Sequence, residues 1–422
     1  MNNSRRSFDV LVVGAGPAGI AAACCAAEAG VRVGIVDNNL RPGGQIWRGE
    51  TQDSHLAEAA SWLRKLASSR AEILAPMEVF AQPEAGRLAA TSSDGVCELS
   101  YKKLILCTGA RERFLPFPGW TLPNVMGAGG LQAVVKSGVD IAGKKVVIAG
   151  SGPLLLAVAA HLRVHGADVR TIAEQAPWSR LIRFGMALAS RGRKISQAFQ
   201  LKKQLSRIAF RAGCWVAGAE GNGKVESVTL RTERKTWKES CDYLACGFHL
   251  VPNTELASLL GCELRAGFVR TDNFQESSVS GIYCAGEPTG IGGLELSIAE
   301  GQIAGFAAAG QRERAQEYFG ERKSQRRFSM ALERAFMLRD ELRPLPSAET
   351  IVCRCEDVTL GRLRAQSSWR AAKLQTRCGM GPCQGRICGP AVEFLFGWKA
   401  ESARPPIFPV AVESLAVTGC AE

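Results

Sequence analysis

Apolar and polar positions along this chain fall into blocks that repeat in a fixed order. Phe8 to Val13 is a near-continuous apolar run, which predicts a buried strand. A glycine turn follows, then an Ala-rich stretch to Gly30 that predicts a buried helix, then Val31 to Val36, a second strand ending at Asp37. The same order returns downstream. Lys144 to Ala149 reads as a strand, Gly150-Ser151-Gly152-Pro153 as a turn, Leu154 to His165 as a helix, and Val169 to Glu174 as another acid-tipped strand.

Between and after these units the pattern predicts a helix over 56–68 and short strands over 88–106, ending in Leu104-Ile105-Leu106-Cys107. Strands resume at 224–230 and 242–247. Gly281 to Glu287 is a further acid-tipped strand, with a helix from Leu294 through Gly305. Pro116 to Trp120 reads as an interdomain crossing. Arg312 to Arg343 is charged and helical in pattern, and Pro344 and Pro346 end it. The expected fold class is α/β: two Rossmann-like nucleotide-binding domains and a small C-terminal Cys-rich domain. The boundaries read as 1–115 with 248–312, an inserted 116–247, a connector 313–346, and 347–422.

The first glycine turn carries specific chemistry. Gly14 permits the tight turn, Gly16 lets a pyrophosphate approach the backbone, and Gly19 lets the helix pack on the strand, while the helix N-terminus offers N–H groups to phosphate. Asp37, eighteen residues past the last glycine, can accept hydrogen bonds from a ribose diol. Strand, turn, helix and acid in register make a dinucleotide fingerprint rather than a lone glycine motif. The turn Pro42-Gly43-Gly44-Gln45 can bring Gly44 and the Gln45 amide to a flavin edge, and Thr108-Gly109 closes its strand with a turn able to lie against a nucleotide.

In the second copy Leu155 stands where the third glycine belongs, so the helix is expected further from the strand and the phosphate turn distorted. Gly150, Gly152 and Glu174 remain, and Glu174 favours an unphosphorylated ribose. A working NAD(H) site, a site for another adenine nucleotide and an empty structural domain all fit this pattern.

A chain of 422 residues exceeds one ordinary core, which agrees with several domains. The net charge of +12 comes without a basic block or aromatic enrichment, so no nucleic-acid partner is expected. Arg180, Arg183, Arg191, Arg193, Lys194, Lys202, Lys203, Arg207 and Arg211 form a basic, helical stretch that is either a solvated face or a subunit-docking face. No secretory signal and no membrane-spanning apolar run is visible, so cytoplasmic residence is the default.

Cysteine usage changes the picture most. Five of the fifteen fall at 353, 355, 378, 383 and 388, far denser than an even spread, and a metal centre is the best cause. Two close pairs of thiolates can hold a [2Fe–2S] cluster, and structural zinc also accepts four cysteines. The tight Cys353-Arg354-Cys355 pair and the dinucleotide fold upstream favour iron and sulfur. Spacing alone does not choose four ligands from five, because Cys378–Cys383 and Cys383–Cys388 leave equal gaps. No Cys-x-x-Cys pair occurs, which argues against a disulfide relay and for exit of electrons by another carrier.

The layout resembles two-domain flavoproteins, in which the chain returns to the first domain near Gly286 and an acid meets the ribityl chain. That acid is usually Asp, and here it is Glu287. More specifically, Pro42-Gly43-Gly44-Gln45-Ile46-Trp47-Arg48, the Cys-x-Cys pair and Thr376-Arg377-Cys378-Gly379-Met380-Gly381-Pro382-Cys383-Gln384-Gly385-Arg386 resemble the alpha subunits of opine oxidases. The HcnB-type subunits of hydrogen cyanide synthase share the pattern, as do the alpha subunits of hydroxyproline and proline dehydrogenases.

The resemblance implies Cys353, Cys355, Cys383 and Cys388 as ligands, with Cys378 in reserve. It also implies FAD and a [2Fe–2S] cluster in a subunit that passes electrons onward, with NAD(H) or another adenine nucleotide at the second module. The implied partners are an FAD-containing, amine-oxidising beta subunit, with a small ferredoxin-like subunit, in a complex that is soluble or peripheral at a membrane. No residue of the chain is identified as an amine-oxidising base, which suits electron transfer. The alternatives are a stand-alone NAD(P)H-dependent flavin reductase and a non-catalytic assembly subunit.

Overall fold

The computed structural model describes residues 4–50, 57–188, 203–206, 208–399 and 403–417. The chain divides into two compact units, 1–111 with 252–329 and 401–422, and 112–251 with 330–400. The cysteine segment and the end of the connector thus group with the inserted module.

The first unit is built on β1 (Ser4–Val13), α1 (Pro17–Glu28) and β2 (Val33–Val36). After α2 (Ala57–Ser68) come β3 (Glu72–Leu74), β4 (Glu78–Glu84), β5 (Arg87–Ser92) and β6 (Gly95–Leu106). The sheet order is β3-β2-β1-β6-β5-β4. Strands β3, β2, β1 and β6 run parallel, and β4 and β5 fold back as an antiparallel meander on the amino half of β6. Leu11, Val12, Leu104 and Ile105 are wholly buried at its centre. Such side chains each contribute roughly 1.5–3 kcal/mol on burial, which sets the register of the two strands that carry the dinucleotide turn.

In the second unit, β7 (Val125–Gly127), α3 (Ala128–Lys136), β8 (Lys145–Ser151), α4 (Leu154–Val164), β9 (Asp168–Glu174), α5 (Trp178–Leu188), β10 (Ala209–Ala212) and β11 (Tyr243–Phe248) follow in turn. Their parallel sheet has the order β10-β9-β8-β11-β7. Pro116 to Trp120, read from sequence as a crossing, is instead part of this unit's core: Phe117 and Trp120 are buried with Leu115, Trp215 and Phe248. Of the basic stretch, Arg180 and Arg183 lie on α5 and Arg211 on β10. Arg191, Arg193, Lys194, Lys202 and Arg207 lie outside the described residues.

The chain returns to the first sheet at β12 (Ile282–Cys284), parallel to β6, and runs into α6 (Leu294–Ala308). Helices α1 and α6 are apolar nearly all round, as a helix enclosed in a core must be. They pack face to face because Gly301 and Gly305 lie against the Ala18 and Ala22 carbonyls. A Cβ at those glycines would stand 2.2 and 2.3 Å from the two oxygens. Helix α7 (Phe319–Phe336) follows, and then the cysteine segment with α8 (Trp369–Thr376) and α9 (Cys388–Phe396) around its own small core.

Candidate functional site

At the first dinucleotide turn the backbone passes so close to β6 that a Cβ at Gly14 would lie 2.2 Å from the Cys107 oxygen. Gly16 faces Gly44, where a side chain would begin 2.9 Å from the Gly16 Cα, and the Gly43 N–H donates to the Ala15 carbonyl. The Gly-Gly-Gln turn is therefore laid directly on the phosphate turn, with Trp47 buried beneath and Gln45 exposed. Asp37 Oδ2 accepts the Ala15 N–H at 2.5 Å, and Oδ1 accepts the Asn39 N–H at 2.7 Å. Thr108 is locked to Asn253 by two hydrogen bonds, Oγ1 to the Asn253 carbonyl and the Asn253 amide back to the Thr108 carbonyl.

At the return, Gly286 and Glu287 stand ahead of α6. Glu287 Oε1 accepts the Gly293 N–H at 3.0 Å, Oε2 is buried without a partner, and burial pushes the acid up to about 7. Sequence reasoning missed the residues that fix this turn. Glu300, wholly enclosed in α6, accepts the Gly286 N–H and the Thr289 hydroxyl through Oε2, and Arg326 pairs with its Oε1 at 2.9 Å. A single carboxylate in the otherwise apolar Leu294–Ala308 run was the available signal.

The second turn is built alike but braced differently. Glu174 Oε2 accepts the Gly152 N–H at 2.7 Å and Oε1 the Ala176 N–H at 2.8 Å, and burial raises this acid to about 7. Leu155, far from distorting the turn, is buried with its Cδ2 3.2 Å from the Cβ position of Gly247 on β11. The first module has Gly19 against Cys107 at the matching place, so the small and large partners are exchanged. The segment after α7 docks here. The Phe336 carbonyl accepts from Ser151 Oγ at 2.7 Å and pairs with His249 Nε2 at 2.6 Å, while the fully buried Gln175 bridges to Ser151 and to the Arg339 N–H.

All five clustered cysteines converge. The Sγ atoms of Cys353, Cys378 and Cys388 lie within 4.8 Å of one another, and all three residues are buried. The S–H groups of Cys378 and Cys388, with the Gly379 and Glu356 N–H groups, point at Cys353 and hold it well below the usual thiol range. Cys355, exposed, is hydrogen-bonded to Cys383. Cys353, Cys355, Cys383 and Cys388 together line a cavity of about 260 Å³ with Arg354, Ile387, Phe114 and Trp120, and Cys378 is not on its wall. Gly381 leaves room for this: a Cβ there would stand 2.3 Å from the Cys355 Cβ. Four thiol donors on one wall fit a [2Fe–2S] cluster, whose irons each take two cysteine ligands.

Among the described residues no helix is long and apolar enough to cross a membrane. Residues 8–309 match the family described as pyridine nucleotide-disulphide oxidoreductase, whose members bind FAD, NAD(P) or both. The chain is 31% identical to hydrogen cyanide synthase subunit HcnB of Pseudomonas aeruginosa over 90% of each chain. It is 30% identical to the A-type subunit of the opine oxidase of Rhizobium meliloti, over 97% of this chain and 98% of that one. The crystal structure of L-proline dehydrogenase from P. horikoshii superposes with a TM-score of 0.67, covering 98% of this chain and 80% of that one. At 21% identity, that likeness shows the fold. The chain therefore belongs to the pyridine nucleotide-disulphide oxidoreductase family, as an oxidoreductase related to HcnB of hydrogen cyanide synthase and to the A-type subunit of opine oxidase.

Proposed function

We propose that this chain is the electron-transfer subunit of a heteromeric enzyme that oxidises the C–N bond of an amino acid, imino acid or opine. The observation that carries this reading is the joining of a dinucleotide fold to a cavity walled by four cysteines, in a chain without any Cys-x-x-Cys pair. Gly14, Gly16, Gly19 and Asp37 would hold FAD, with Gly44, Gln45, Thr108, Gly109, Gly286 and Glu287 around its path. Cys353, Cys355, Cys383 and Cys388 would hold a [2Fe–2S] cluster, and Gly150, Gly152 and Glu174 an unphosphorylated adenine nucleotide. When bound, the flavin supplies two-electron acceptance and the cluster one-electron transfer.

Relatives that are subunits of hydrogen cyanide synthase and opine oxidase support a partner for this chain as well. That partner would be an FAD-containing subunit that removes the electrons from the amine, and a small ferredoxin-like subunit would complete a cytoplasmic or membrane-peripheral complex. An anaerobic visible spectrum of the purified chain, with iron and sulfide assays before and after NADH, tests the reading. Flavin bands and about two irons per chain, unbleached by NADH, are expected. Flavin without iron, bleached at once, would leave a stand-alone NADH-dependent flavin reductase, and a colourless protein would leave an assembly subunit.

A further inference from the structure

Arg354 stands between the two cysteines of the Cys353–Cys355 pair and on the wall of the same cavity. Its guanidinium lies over the Trp120 ring, 5.4 Å from the centroid. Trp120 is itself immobilised. It is 3% exposed, packed in the core of the second sheet, and its Nε1 donates to the Ile351 carbonyl at 2.6 Å, two residues before the pair begins. Arg354 makes no ion pair with any carboxylate among the described residues, whereas nearby Arg377 is neutralised by Glu356 at 2.7 Å. An arginine side chain free in solvent spends little time in one place. One stacked on a fixed indole keeps its charge where the ring puts it.

We infer that Arg354, positioned by Trp120, poises the redox centre of the cysteine cavity by holding an uncompensated positive charge on its wall. The inference rests on the cluster reading above. Reduction adds one electron to a centre that four thiolates already make anionic, with no bond made or broken in the protein. A fixed positive charge beside it favours the reduced form and raises the potential, and the low-dielectric wall of Trp120, Phe114 and Ile387 limits screening. Cys355 is the exposed ligand candidate, so this is also the side from which solvent would otherwise set the potential.

The test is an anaerobic redox titration of the full-length chain, followed by electron paramagnetic resonance, with iron counted in each sample. Wild type, Arg354→Lys and Arg354→Gln are compared at one ionic strength. We expect full iron in all three and a lower potential for R354Q, by about tenfold in the reduced-to-oxidised ratio, or about 59 mV for one electron. R354K should stay close to wild type. Equal potentials in all three iron-replete proteins would overturn the inference while leaving the cluster reading intact. Loss of iron from R354Q alone would make Arg354 a residue that retains the cluster, and would overturn it too. A wild-type chain without iron would overturn both.

Discussion

Glu287 turns its carboxylate onto the backbone ahead of α6, where Oε1 accepts the Gly293 N–H at 3.0 Å and Oε2 is left buried with no partner. One oxygen is satisfied and the other is desolvated, which is the environment of a neutral acid, and burial raises the group from 4.5 to about 7. The folded state therefore keeps a proton that the unfolded chain has lost between those two values. The favourable contribution is complete below about pH 4.5 and is lost as pH rises through about 7. Glu287→Gln, neutral and of the same shape, should match wild type at pH 4.5 and be more stable at pH 8, by at most about 3 kcal/mol. Urea unfolding at both pH values, with FAD held constant, measures it. A wild type that is the more stable at pH 8 would show that Oε2 has an anionic role in the fold.

The exchange of Gly19 against Cys107 for Leu155 against Gly247 makes a second prediction. Adding a methyl at Gly247 brings it within 3.2 Å of the Leu155 Cδ2 and 3.4 Å of the Ala128 Cβ, in a core already closed. Gly247→Ala should cost about 1–3 kcal/mol through overpacking. In the Leu155→Ala background the same change should cost markedly less, because the space has been vacated. Thermal melts of the four proteins of this cycle decide it, and strictly additive costs would rule the contact out as the compensation.

Much of this was legible beforehand. Phe8 to Val13 and Lys144 to Ala149 are apolar runs that only a parallel sheet covered on both faces accommodates, and the structure pairs them with the acid-tipped strands as expected. What the sequence could not disclose is contact across long separations. Leu155 reads as a defect until Gly247, ninety-two residues away, is seen opposite it. Pro116 to Trp120 has the proline and glycine of a linker, yet its Phe117 and Trp120 find a core supplied by later strands. Glu300 and Arg326 lie a helix apart, and no local pattern pairs them.

That pair carries its own consequence. Glu300 is 1% exposed and holds the Gly286 N–H and the Thr289 hydroxyl in place, and Arg326 is its only cationic partner among the described residues. Arg326→Met would leave a buried carboxylate with neutral donors alone. Such losses cost about 3–5 kcal/mol when both partners are buried. Arg326 is partly solvated, so about 2–3 kcal/mol is expected. Because the turn it supports carries Glu287, flavin affinity should fall as well. Denaturant melts and FAD titration together test this, and unchanged FAD affinity in a destabilised R326M would confine the pair to the fold.

The five cysteines divide by what they face. Cys353 and Cys388 belong to both sets, to the buried triad with Cys378 and to the cavity wall with Cys355 and Cys383. A cluster needs space as well as thiols, and the triad's third member contributes to none of the cavity wall. Cys378 instead donates its S–H to Cys353, the bond of a neighbour that supports a ligand from behind. Cys378→Ala should therefore keep about two irons per chain, with a modest loss of stability from the small void. Cys383→Ala removes one wall thiol and should lose most of the iron. Iron and sulfide assays on the two variants, purified anaerobically side by side, separate the sets. Iron retained by C383A and lost by C378A would make the buried triad the metal site and the exposed Cys355–Cys383 pair a bystander.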